Sequence, residues 1–210
     1  MKTLMAVIGM ASILVAPRGA AQEEAEVIPP AVGASAVAAV KKLGEQVVLG
    51  NRNFAIERMY PRWKERMAKR MGGMEELDRK LEEQLDNVDQ QMRLHGMSMM
   101  SFKPVGNPSV YAVWQGKAKK IVDGEAVEVL IKTKWMVLIP TVTKFRITDK
   151  ELNKTRIIES QGFQVAVSEK RELDWYFMDG ASLSVADLRS LFPALPENLE
   201  LPPLERREVK

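Results

Sequence analysis

Residues 155–180 constrain the fold most, because apolar side chains alternate with polar ones along this stretch. Alternation with a period of two is typical of β-strands that bury one face, and the polar residues 168–172 separate two such runs. We therefore predict a hairpin with a single buried face, which the preceding part of the chain covers. The apolar rows consist of Ile157, Phe163, Val165 and Val167 in the first strand and Leu173, Trp175 and Phe177 in the second.

A second hairpin is predicted upstream, around the dipeptide Asp123-Gly124. This dipeptide is strongly preferred in two-residue turns between antiparallel strands. Its second arm alternates regularly from Val127 to Ile139, which indicates a long central strand. Residues 97–103 open another strand, and residues 141–148 extend the sheet beyond Pro140.

Helical patterns surround these strands. Apolar residues from Ala36 to Val47 predict a first helix capped by Ser35, and residues 54–59 predict a short second one. Further helices are predicted over residues 61–71, 74–95 and 185–191, and the apolar face of the 74–95 helix is expected to pack on the sheet. This order predicts an α+β fold in which N-terminal helices pack on a curved, cone-like antiparallel sheet.

The two ends of the chain have a different composition from the middle. Residues 1–21 resemble a secretory signal, with Lys2 at the start and an apolar run too short to cross a bilayer. We expect a flexible lead-in over residues 22–34, a single domain over residues 35–192 and an extended Pro-rich tail over residues 193–210. A strap or a frayed end is a commoner role for such a tail than a partner-binding peptide. The expected location is periplasmic or extracellular, with no transmembrane segment after removal of the signal.

Composition excludes several functions. The chain has no cysteine, so disulfides, thiolate metal sites and cysteine nucleophiles are absent. Without Lys2 and Arg18 the formal charge falls from +3 to +1, which disfavours nucleic acid as a partner. A basic row, formed by Arg62, Arg66 and Arg70, could bind anions or a membrane surface, but the solvated flank of a helix is the favoured interpretation.

One segment contains side chains that suit copper. His95, Met97, Met99 and Met100 offer an imidazole and thioethers, which are ligands for Cu(I) in exported proteins. The same segment must end a helix and begin a strand, so its side chains point to different faces. We therefore predict no metal site and no cofactor, and we rank a copper-binding function third.

Local patterns resemble the nuclear-transport-factor-two-like superfamily, which has a cystatin-like cone. The resemblance rests on Leu49-Gly50-Asn51, on residues 54–60 and on the final strand over residues 175–180. This superfamily includes ketosteroid isomerases, polyketide cyclases and non-catalytic domains. It implies a pocket between the concave sheet face and the helices. No position matches a catalytic residue of the family, and the inner face of the central strand carries no carboxylate. Asp179 precedes Gly180 at the end of a strand, where a turn is enough to explain the presence of an aspartate.

The resemblance leaves two leading functions. The first is an exported, soluble, non-catalytic binding or assembly module of the cell envelope, whose partner is an unknown protein or a small apolar ligand. The alternative is a cofactor-free isomerase or cyclase. An open cavity with a buried Asp, Glu or Tyr would favour the enzyme, whereas a filled interior would favour the module. The candidate pocket residues, which either stack on a ligand or form plain core, are Tyr60, Trp63, Trp135, Phe163 and Trp175.

Overall fold

The computed structural model describes residues 27–122, 124–149 and 154–209, and it confirms the α+β class. The helices are α1 (Pro30–Val48), α2 (Asn53–Glu57), α3 (Pro61–Met71), α4 (Met74–Leu94) and α5 (Val185–Leu191). The strands are β1 (Met97–Pro104), β2 (Ser109–Val122), β3 (Glu125–Asp149), β4 (Lys154–Glu169), β5 (Tyr176–Asp179) and β6 (Glu205–Val209). The predicted signal, the first part of the lead-in and Asp123 lie outside the described residues.

All strand pairs in the sheet are antiparallel, and β3 pairs with β4 along residues 134–149. On its other side β3 pairs first with β2 and then with β1. Pro140 lies where these two neighbours change over, because the first residue of β2, Ser109, pairs with Leu138 and the last residue of β1, Pro104, pairs with Thr141. A proline lacks an N–H, and this junction is a position where that loss is tolerated. As predicted, the sheet therefore continues beyond Pro140, and it does so within one strand.

The single buried face predicted for the hairpin over residues 155–180 is wrong, because both faces of the sheet are covered. Phe177 pairs with Ala166, and Met178 pairs with Val165. Directly paired residues of antiparallel strands share a face, so Phe177 lies on the face opposite Val165. Strand β5 also begins at Tyr176, later than expected, because Leu173 adopts a left-handed backbone with φ 51°.

Each face of the sheet has its own hydrophobic core. The first core joins α1 to the face of Trp135, Val137 and Phe177. The second core joins Trp63 of α3 and the residues that follow β5 to the opposite face. The buried residues of this second cluster include Met136, Leu138, Phe163, Val165, Val167, Met178, Leu188 and Phe192. Helices therefore do not pack against one face alone.

Helix α1 begins at Pro30, ahead of its predicted cap. Proline is well suited to the first helical turn, where its missing N–H has no partner to lose. Ser35 lies inside α1 and accepts a hydrogen bond from Nε1 of Trp175 at 2.9 Å. The predicted lead-in over residues 22–34 therefore overlaps the first turn of α1.

The C-terminal residues belong to the domain. Leu195 and Leu199 are buried in the second core, and Glu205–Val209 forms β6 against β4. The segment is a strap, and residue 192 does not mark the edge of the domain. Among the helices within the described residues, none has both the length and the apolar character needed to cross a membrane.

Candidate functional site

A cavity of about 890 Å³ lies between helices α1–α4 and the sheet. The sequence predicts that the apolar face of α4 packs on the sheet, but only part of that face does so. The cavity occupies the space that remains. Leu77 is the one fully buried residue of α4, while Leu81 and Leu85 are only half-buried and line the cavity. A salt bridge of 2.7 Å between Lys64 of α3 and Asp78 of α4 ties the two helices together at the start of α4. An amphipathic helix that remains partly unpacked leaves an apolar wall.

The floor of the cavity crosses β4 at Gly162. Strand β5 pairs with residues 164–167 of β4, and β6 pairs with residues 157–161, so Gly162 and Phe163 lie in a gap between them. A Cβ atom at position 162 would meet only Leu204 and the Thr141 hydroxyl, both at an ordinary 3.8 Å. The glycine thus leaves space that a larger side chain could fill without backbone strain.

Asp179 lies on the cavity wall at the end of β5. Its Oδ1 accepts hydrogen bonds of 3.3 Å from Nε2 of Gln164 and from the backbone N–H of Ala181. Burial among the surrounding protein atoms raises the pKa of Asp179, and these two hydrogen bonds lower it by less. The carboxyl group still touches the space of the cavity, because a large part of the residue is exposed. A carboxyl group in this setting can exchange a proton with a bound molecule.

Two arginines line the cavity, and they differ in their partners. Arg52 forms an ion pair with Asp89 of α4 and donates a hydrogen bond of 3.4 Å to the sulfur of Met92. Arg206 of β6 is exposed, and no hydrogen bond or ion pair joins its side chain to the described residues. Its guanidinium group is therefore available to an anion.

The five pocket residues predicted from the sequence are all buried, but they lie in different places. Trp63 and Phe163 line the cavity from the side of the second core. Trp135 and Trp175 belong to the first core and do not line the cavity. The ammonium group of Lys170 lies over the Trp135 ring, 4.5 Å from its centre. The two tryptophans thus occupy core positions.

Tyr60 borders a second, smaller cavity of about 430 Å³. Its ring packs on Phe192 with 5.6 Å between ring centres, and its hydroxyl is buried without a hydrogen-bond partner among the described residues. Burial raises the pKa of Tyr60 to about 12, so the hydroxyl stays protonated. Tyr60 is not part of the larger cavity.

The segment considered for copper is divided between two elements. His95 follows α4, is exposed and forms a hydrogen bond of 3.2 Å with Gln91. Met99 lines the cavity, whereas Met100 is 39% exposed, and a bulge between Met99 and Ser101 interrupts β1. No group of three or more His, Cys, Asp or Glu residues among the described residues could hold a metal ion.

One residue of the basic row of α3, Arg66, contacts helix α5. Arg66 donates a hydrogen bond to the Ser190 hydroxyl of α5 and lies 3.5 Å from an oxygen of Asp187. Its guanidinium group also lies over the Trp63 ring, 5.9 Å from its centre. These contacts fit the flank of a packed helix better than an anion site.

The pocket residues predicted from the sequence include none of the charged side chains that line the cavity, among them Asp179 and Arg206. The turn predicted at Asp179 is confirmed, because its side chain caps the 3₁₀ turn Gly180–Ser182, but that local signal does not indicate a cavity. Arg206 lies in the segment predicted as a Pro-rich tail. No protein-family model matches the chain, and no significant match is found among characterised proteins or solved structures. The function is therefore inferred from the geometry of the cavity.

Proposed function

We propose that the protein is an exported binding module of the cell envelope that holds a small, largely apolar molecule in the cavity between α1–α4 and the sheet. The observation that carries this proposal is the cavity itself, with a volume of about 890 Å³. Sites for small molecules have volumes of roughly 300–1,000 Å³, apolar walls and a few polar groups. This cavity combines apolar side chains of α4 with Asp179, Gln164 and Arg206.

The resemblance to the nuclear-transport-factor-two-like superfamily supports the same proposal, because a pocket between helices and sheet is what that fold implies. The short segment between α2 and α3 lies along the outer edge of β5, where Met59 forms a parallel bridge with Phe177. The backbone N–H of Tyr60 also donates to the carbonyl of Phe177 at 2.9 Å. This arrangement agrees with the order of elements on which the resemblance rests.

Export is the second part of the proposal, and it rests on the signal-like residues 1–21. Cleavage after Ala21 is expected, so the mature chain would begin at Gln22. Mass spectrometry of the native protein measures this directly. Purified native protein that retains residues 1–21 would contradict export by cleavage.

A neutral fluorescent dye such as Nile red tests the binding proposal. Gly162→Leu should fill the floor of the cavity and abolish dye binding, while the far-ultraviolet circular dichroism of the protein stays unchanged. Gly106→Ala is the matched control, because Gly106 is exposed and has open space around its missing Cβ, although its φ of +62° adds a small strain. Equal dye binding by the Gly162→Leu variant and the unaltered protein would contradict a ligand site in this cavity.

Asp179 favours a second candidate, a cofactor-free isomerase or cyclase. A carboxyl group with a raised pKa in a cavity could move a proton next to the carbonyl group of a ligand. A cyclic β,γ-unsaturated ketone is a suitable probe, and movement of its double bond is followed by ultraviolet absorbance. Asp179→Asn should reduce such a rate by about 10²–10⁴-fold, which is the usual contribution of a general base. A rate equal to that of buffer alone would remove this candidate and leave the binding module.

A further inference from the structure

Charged residues reach the cavity wall from both sides of the gap between β5 and β6: Asp179 from β5, and Glu205 and Arg206 from β6. Glu205 pairs with Gln161, so it lies on the face opposite that of Arg206. Arg206 pairs with Ser160, and Asp179 pairs with Gln164. Directly paired residues of antiparallel strands share a face, and so do alternate residues along one strand. Arg206 and Asp179 therefore lie on the same face of the sheet as Gly162, which separates them.

The spacing between the two charged residues is set by β4. Four residue steps separate Ser160 from Gln164, which corresponds to roughly 13 Å at the usual rise of a strand. No ion pair joins Arg206 to Asp179, although both groups are described. The strand surface between them is formed by Ser160, Gly162 and Gln164, and the cavity lining also includes the large apolar side chains of Leu81, Leu85, Phe102 and Phe145.

Both groups keep unused hydrogen-bonding capacity. The guanidinium group of Arg206 has no partner among the residues that the structure describes, so its side-chain N–H groups are free to bind a ligand. Within the described part of the chain, the Asp179 carboxyl group accepts two hydrogen bonds, both on Oδ1, and none on Oδ2. A guanidinium group and a carboxyl oxygen roughly 13 Å apart on the wall of one cavity select a molecule with two different polar ends.

We infer that the ligand is an elongated amphiphile with one carboxylate, which Arg206 binds, and with a hydroxyl group at the far end that donates to Oδ2 of Asp179. The apolar chain of this molecule crosses Gly162 between the two ends. This inference rests on the proposed binding function and adds the chemical class of the ligand.

Three probes of equal chain length separate the contributions of the two ends: ω-hydroxydecanoate, decanoate and decanol. Their affinities for the full mature protein are measured by isothermal titration calorimetry at low and high salt. ω-Hydroxydecanoate should bind most tightly, decanoate next and decanol least. Higher salt should weaken the binding of the two carboxylates and leave decanol unchanged, because salt screens the attraction of exposed charges.

Two substitutions assign each end of the ligand to its residue. Arg206→Gln should weaken the binding of ω-hydroxydecanoate and of decanoate by about tenfold or more, because a hydrogen bond to a charged group contributes on that scale. The exposed Arg171, which follows β4, provides the control variant Arg171→Gln, and it should bind as the unaltered protein does. Asp179→Ala should weaken ω-hydroxydecanoate about threefold to tenfold without weakening decanoate, since a neutral hydrogen bond is worth less.

The possible failures are distinguishable. If decanol binds as tightly as decanoate and Arg206→Gln changes neither affinity, the inferred ligand class is wrong. Binding of Nile red that Gly162→Leu abolishes would in that case still support the binding function. If neither the amphiphiles nor Nile red bind, both the ligand class and the binding function are overturned.

Discussion

At the scale of single residues, Trp175 connects the C-terminal half of the sheet to the first helix. Its ring is buried in the core between α1 and the sheet, and its Nε1–H donates to Ser35. Trp135 is buried in the same core beneath Lys170. Both tryptophans therefore combine a large apolar contact with a polar or cationic one, as aromatic residues at packed positions often do.

Replacing either tryptophan with alanine should lower the free energy of unfolding by about 3–5 kcal/mol, as truncation of large aromatic residues in cores does. Ser35→Ala should cost less, about 1–3 kcal/mol, because it leaves the buried Trp175 N–H without an acceptor. Denaturant unfolding of the three variants measures these differences. A loss below about 1 kcal/mol for Trp135→Ala would show that its site adapts to the change.

Asp179 should make the stability of the protein depend on pH. Its pKa is raised in the folded protein, mainly by burial, so the folded state holds the proton more tightly than the unfolded state. The free energy of unfolding should therefore fall as pH rises through the pKa of folded Asp179. Asp179→Asn keeps an oxygen that can accept from Gln164 and Ala181, and it removes the charge.

We expect Asp179→Asn to raise the free energy of unfolding at neutral and alkaline pH and to leave it unchanged in acid. Urea unfolding of both proteins between pH 3 and pH 9 measures the difference, over a range that brackets the usual carboxyl pKa of about 4. A difference in the free energy of unfolding between the two proteins that is largest in acid would contradict a raised pKa of Asp179.

At the scale of elements, the close approach of α1 to β1 depends on Gly44. A Cβ atom at this position would lie 2.3 Å from a ring carbon of Phe102 and 2.7 Å from its carbonyl oxygen. Gly33 lies in the same helix, where a Cβ atom would meet Pro108 at 3.4 Å and Val110 at 3.6 Å. The helix therefore contains a crowded glycine and an uncrowded one.

These two glycines form a matched pair for mutation. Gly44→Ala should destabilise the protein by about 1–3 kcal/mol, because extra volume in a packed core forces neighbours to move. Gly33→Ala should stabilise it by about 0.5–1 kcal/mol, because alanine favours the helix more than glycine. Thermal unfolding measures the stability of both variants. If Gly44→Ala changes stability by the same amount and in the same direction as Gly33→Ala, then α1 can shift away from β1.

The attachment of β6 to β4 depends on a row of charges. Glu159 of β4 accepts hydrogen bonds of 3.1 and 2.6 Å from Arg207 of β6, and its other oxygen lies 3.3 Å from Nζ of Lys144 in β3. These partners, Arg207 above all, lower the pKa of Glu159. The stability that this carboxylate gives is present above the usual carboxyl pKa and is lost as pH falls through its lowered value.

We therefore expect β6 to detach first when the protein is acidified. The protection of residues 205–209 against hydrogen–deuterium exchange, measured relative to the intrinsic rate at each pH, should fall on acidification before that of β3 and β4 does. In Glu159→Gln this acid dependence should disappear, because the titrating group is gone. Protection of residues 205–209 that is the same at all pH values would contradict the prediction.

At the scale of the whole molecule, the C-terminal strap completes both the second core and the wall of the cavity. Leu195 and Leu199 are 4% and 6% exposed, and Leu204 and Arg206 line the cavity. Loss of one buried leucine side chain costs about 2–5 kcal/mol. Two such losses are comparable to the total stability of a small domain, which is about 5–15 kcal/mol.

A chain that ends at residue 192 should therefore fail to unfold cooperatively, whereas a chain that ends at residue 204 should keep a cooperative transition. The second variant removes β6 and preserves both buried leucines. Circular dichroism during urea unfolding distinguishes the two variants. Identical midpoints for the variant ending at 192 and the full chain would place the strap outside the folding unit.

The sequence by itself determined the elements, because their signals are local. Pro61 and the glycines that follow Met71 fixed the bounds of α3, and Ser184 with Asp187 fixed the start of α5 through a capping box. Alternation of apolar side chains identified β2, β3 and β4. These signals act within a few residues along the chain, so neighbouring residues are enough to interpret them.

Only the tertiary structure decided which segments cover each face of the sheet and where the charged residues of the cavity lie. A change of register by one residue exchanges the faces, and only the pairing of Val165 with Met178 shows which face Phe177 takes. Asp179 and Arg206 lie on the same wall of the cavity because β5 and β6 pair with successive parts of β4. Residues so far apart in sequence become neighbours only through strand pairing, which no local pattern encodes.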